Sequence, residues 1–152
     1  MNKFFVLFVA LFSIFSNQAF AKKDKNPPTP VVYNYTCTPY QNALPTFEMK
    51  TSYVGTGSPG LGHGLFGLTI KSTELNIQLN TNQYFSGSMQ FNNVVTANNE
   101  VITLQMEHDL FLGGLLRNGP YGEDTSTELA GLVRVFKQGQ IFSFYCSRPL
   151  PF

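Results

Sequence analysis

Charge is scarce in this chain of 152 residues: Asp, Glu, Lys and Arg together make up 12%, and the formal net charge is +1. Nucleic acids and anionic membrane surfaces are gripped by basic patches, so a lightly charged chain predicts neither as a partner. Cysteine is almost absent, with Cys37 and Cys146 alone and no Cys-x-x-Cys redox pair. Histidine is as rare, and His63 and His108 form neither a His-x-His nor a His-Glu-x-x-His spacing, so no zinc signature is present. There is no Gly-x-Ser-x-Gly elbow. The carboxylates Glu107 with Asp109, and Glu123 with Asp124, sit at a strand end and in a turn. Nothing there separates their environments as acid–base catalysis requires. No window shows the 3.6-residue apolar period of an amphipathic helix. These absences predict no enzyme, no metal and no cofactor.

What is present begins with an export signal. Lys3, an apolar run from Phe4 to Phe15 and the small-x-small site Ala19-Phe20-Ala21 read as a secretory signal peptide over 1–21, cleaved after Ala21. Its apolar run is too short for a spanning helix. Residues 22–30, Lys-Lys-Asp-Lys-Asn-Pro-Pro-Thr-Pro, predict a disordered leader. The barrel domain is assigned to 31–152, secreted or periplasmic. Two cysteines in an exported chain predict one disulfide, Cys37–Cys146, joining the first and last strands.

From Val31 the period is two. Strands are expected at Val31 to Cys37, Phe47 to Tyr53, Phe66 to Ile70, Leu75 to Leu79, Phe85 to Phe91, Ile102 to Met106, Leu129 to Phe136 and Gln140 to Cys146. Inward and outward positions alternate along each, most cleanly where Leu75, Ile77 and Leu79 alternate with Glu74, Asn76 and Gln78. The last two form a hairpin whose turn, Lys137-Gln138-Gly139-Gln140, reverses at Gly139. The fold class is therefore all-β: a single-domain antiparallel meander of about eight strands, closed or nearly closed into a β-barrel, with a β-sandwich as the alternative.

Antiparallel order puts the two long connections, 55–64 and 108–125, at the same end. The first contains Gly-x-Gly-x-x-Gly at Gly55, Gly57 and Gly60, but a strand follows where a phosphate loop needs a helix. The second carries the apolar run Leu110 to Leu116, either a cap on the barrel or a contact surface. The candidate ligand- or partner-binding residues are Leu61, His63, Leu110, Phe111, Leu112, Leu115, Leu116 and Tyr121. The expected function is non-catalytic binding of an apolar small molecule or lipid at these loops. The alternative is a protein-interaction module or inhibitor of the cell envelope, since such barrels are also found filled by their own side chains. A small outer-membrane barrel stands third. Its strands would need about 9 to 11 residues, against seven or eight in most of those expected here, and no stable membrane insertion is predicted.

The Tyr35-Thr36-Cys37 start and the Ser86-Gly87 pair are similar to short segments of periplasmic lysozyme inhibitors. The general plan resembles theirs and that of lipocalin-like carriers. The likeness covers only those few residues and implies an exported β-barrel, with no functional residue carried over.

Overall fold

A computed structural model describes residues 29–41, 44–55, 64–82, 88–117 and 127–151, the side chains of 80–82 excepted. The expected signal peptide and most of the leader lie outside the described residues, as do Phe85 and Gly87. The elements are β1 (Val31–Pro39), β2 (Phe47–Gly55), β3 (Gly64–Lys71), β4 (Ile77–Asn82), β5 (Ser88–Val95), β6 (Val101–Glu107), a 3₁₀ helix (His108–Leu112), β7 (Leu115–Leu116), β8 (Glu128–Lys137) and β9 (Gln140–Pro149). They form one antiparallel sheet in the order β4-β3-β2-β1-β9-β8-β6-β5, with β7 on β8. The sheet curls into a nearly closed barrel, which settles barrel against sandwich. The β1–β9 pair joins its two halves, β4 to β1 and β9 to β5, and among the described residues β4 and β5 are left as its two edges.

Alternation drives the curl. On β2, Phe47, Met49 and Thr51 are buried while Glu48 and Lys50 are exposed. On β3, Phe66, Leu68 and Ile70 point inward. Each large side chain so buried contributes about 1.5–3 kcal/mol, and a one-residue slip would turn every one of them outward. Cys37 and Cys146 are direct partners across β1 and β9 and form the expected disulfide, fully buried, at a sequence separation of 109.

The hairpin between β8 and β9 is also as expected. Lys137 pairs with Gln140, and the two turn residues have positive φ, 50° at Gln138 and 77° at Gly139. Two positive φ values give a turn whose twist matches the flanking strands.

Several boundaries differ from the sequence reading. The fourth strand begins at Ile77, because the Ser72 hydroxyl accepts from the Leu75 N–H and Ser72 N–H donates to Leu75 O at 3.1 Å. Ser72 thus holds residues up to Leu75 in a turn, although Leu75 remains in the core. The fifth strand runs on to Val95 through a bulge: Phe91 faces Leu104 and Val94 faces Ile102, leaving Asn92 and Asn93 opposite Thr103. Asn93 takes φ 55°, which Asn tolerates. The connection between the expected strands Phe85 to Phe91 and Ile102 to Met106 is therefore shorter than those bounds leave it, closed by Thr96 N–H to Glu100 O at 2.9 Å. β1 and β2 have nine residues, β8 and β9 ten. These four are long enough to span, whereas β3 to β6 have six to eight residues, so strand length argues against a membrane span only in part.

Candidate functional site

The described part of the loop after β6, 108–117, is held by specific contacts. β6 ends at Glu107, and the 3₁₀ helix that follows drops Leu110 and Phe111 into the barrel, both fully buried. The Phe111 ring meets Phe66 edge-on at 5.2 Å. The Leu110 carbonyl accepts two buried hydrogen bonds, from Tyr35 Oη at 2.8 Å and Thr51 Oγ1 at 2.9 Å. Thr51 is an inward polar residue on an apolar face, and this bond satisfies its hydroxyl. Burial, partly offset by the Arg148 guanidinium, pushes the Tyr35 phenol up from 10.0 to about 12.

The chain leaves the barrel through Gly113 and Gly114, at φ 105° and 84°. A side chain at Gly113 would meet Arg148 Nη2 at 2.9 Å. Arg148 stacks over the Tyr33 ring at 4.6 Å and donates from Nε to Gly113 O at 2.9 Å. Leu115 and Leu116 then pair with Ala130 and Leu129 as β7. Glu107 ties the return: Oε1 pairs with Arg117 Nη2 at 2.9 Å, and Oε2 accepts from Leu132 N–H at 2.8 Å. His108 Nδ1 lies 3.3 Å from Asp109, while its buried Nε2 has no partner among the described residues.

The sequence-named residues therefore separate. Leu110 and Phe111 are core and leave the candidate surface. Leu112, Leu115 and Leu116 stay exposed, at 40%, 44% and 59%. Leu61, His63 and Tyr121, with Glu123 and Asp124, lie outside the described residues. Among the described residues no three His, Cys, Asp or Glu side chains gather at metal-holding distance. Glu107 is already spoken for by Arg117 and a backbone donor.

Sequence reasoning missed a cleft of about 690 Å³ on the outer wall, lined in part by Tyr40, Leu132, Arg134, Ile141 and Ser143. Tyr40 extends the β1–β9 ladder by donating from N–H to Ser143 O at 2.9 Å. Its ring meets Tyr145 edge-on at 6.4 Å, so the outward-facing Tyr145 is buried. Burial raises the Tyr40 phenol, and the neighbouring Tyr145 adds to the rise. The signal available in the sequence was the set of apolar residues on the polar phase of the last hairpin, Leu132, Phe136 and Ile141.

No protein-family model matches the chain, nor does any curated protein or any solved structure.

Proposed function

We propose that this chain is an exported, non-catalytic interaction protein. Its filled barrel is a rigid platform, and Leu112, Leu115 and Leu116 contact a protein partner at the plugged end. The observation that carries this reading is the division of one apolar run. Leu110 and Phe111 fill the barrel mouth, while the next leucines of the same run stay exposed beside it. A carrier needs its interior for cargo, and here Tyr35, Phe66, Phe111, Phe144 and Met49 occupy it. Three exposed leucines within five residues mark a candidate contact surface.

Export is supported by the disulfide, since such bonds persist in oxidising compartments, and by the signal-like first 21 residues. No helix among the described residues is long and apolar enough to cross a membrane. Wall composition speaks against a membrane-spanning barrel. Such barrels are apolar outside and polar within, whereas Glu48, Lys50 and Lys71 point outward here, over an apolar interior.

The test is a double substitution, Leu115→Ser with Leu116→Ser, in tagged protein recovered from its own cell envelope. A partner that co-purifies at fixed stoichiometry with the parent and is lost from the variant, at unchanged Tm, supports the reading. Equal recovery by both proteins, or no partner with the parent, sinks it.

A further inference from the structure

At about 690 Å³ the outer-wall cleft falls within the roughly 300–1,000 Å³ of small-molecule sites. Its apolar side is Leu132, the Tyr40 ring and Ile141, the last left 61% exposed. Its polar side is Arg134 with Ser143, its direct partner on β9. On the other flank Arg134 pairs in register with Gln105 of β6. Both strand neighbours are thus neutral. The ion pairs among the described residues engage His108, Arg117 and Lys137, and none engages Arg134. A guanidinium beside exposed apolar surface, with no carboxylate of its own among the described residues, presents a planar fork suited to an incoming carboxylate.

We propose that this cleft binds a small amphipathic carboxylate. The head group pairs with Arg134, with the Ser143 hydroxyl as a second donor, and the apolar body lies along Leu132, Ile141 and the Tyr40 ring. Binding is on the barrel's wall rather than in its lumen. It does not depend on what the exposed leucines of the plugged end contact.

NMR titration of the purified disulfide-bonded protein with octanoate, and separately with 1-octanol, tests the assignment. The expected result is saturable shifts of the Arg134, Ile141 and Ser143 signals, with octanoate binding about tenfold tighter than octanol, as a charge-assisted hydrogen bond implies. Arg134→Gln, at an exposed wall position, should erase that difference while leaving the octanol affinity unchanged. Ile141→Ser should weaken both. Three results would overturn the proposal: no saturable binding of octanoate, equal affinity for acid and alcohol in the parent, or octanoate binding untouched by Arg134→Gln.

Discussion

Gly131 is where the plug presses hardest on the wall. A methyl group there would lie 2.7 Å from Leu110 Cγ and 2.8 Å from Cδ2, and 3.1 Å from Glu107 Oε2. Gly131→Ala should therefore cost about 1–3 kcal/mol through overpacking, read as a lower urea midpoint at unchanged m-value. An unchanged midpoint would mean that Leu110 is not seated against β8. Tyr35 supplies a test at high pH. Its phenol loses its proton near 10.0 when exposed and near 12 in the fold. The folded protein therefore holds the proton more tightly, and the stability this gives is complete below pH 10. It declines as pH rises from 10 to 12, by about 1.4 kcal/mol per pH unit. Tyr35→Phe should lose about 1 kcal/mol at neutral pH with its bond to Leu110 O and show a correspondingly shallower fall above pH 10. Parallel pH profiles for parent and variant would contradict this.

Among the elements, those with a two-residue period were legible and those built by local exceptions were not. β2 alternates Phe47, Glu48, Met49, Lys50, and the sequence shows directly which face it buries. The bulge in β5 was hidden because Asn92-Asn93 resembles a turn pair, and only the pairing with β6 shows that the strand continues. The plug was half visible. Leu110 to Leu116 stood out as apolar, yet neither period sorts a 3₁₀ turn followed by two left-handed glycines. The split between buried Leu110 and exposed Leu112 thus had no sequence signature. The β8–β9 turn carries a prediction of its own. Gln138 holds φ 50°, a left-handed conformation costing a non-glycine residue roughly 1–2 kcal/mol, and one that Asn tolerates better. Gln138→Asn should raise the stability by up to about 1 kcal/mol, seen as a higher Tm. A lower Tm would mean that the Gln138 side chain contributes a contact that outweighs the backbone strain.

At the scale of the whole molecule, the clasp between first and last strands could be read from two cysteines and a strand count, and it is the pairing that joins the two halves of the sheet. The wall cleft could not, since it needs Tyr40 laid against β9 by the long-range pairing of Thr36 with Ser147 and Cys37 with Cys146. The same clasp closes a loop of 109 residues' separation, worth on the order of 4–5 kcal/mol in the chain-entropy account. Reduction should lower the urea midpoint accordingly, and an unaltered midpoint would mean that the sheet closes without it. A filled lumen leaves only the outside of the barrel for the proposed binding. Methyl NMR reports on this, since Met49, Met89 and Met106 are buried inside the barrel. On titrating the oxidised protein with the apolar probe N-phenyl-1-naphthylamine, these three methyl signals should stay in place while any shifts fall on Ile141, Leu115 or Leu116. Shifts of the three methionines, with through-space contacts to the probe, would show a lumen open to cargo and contradict the account.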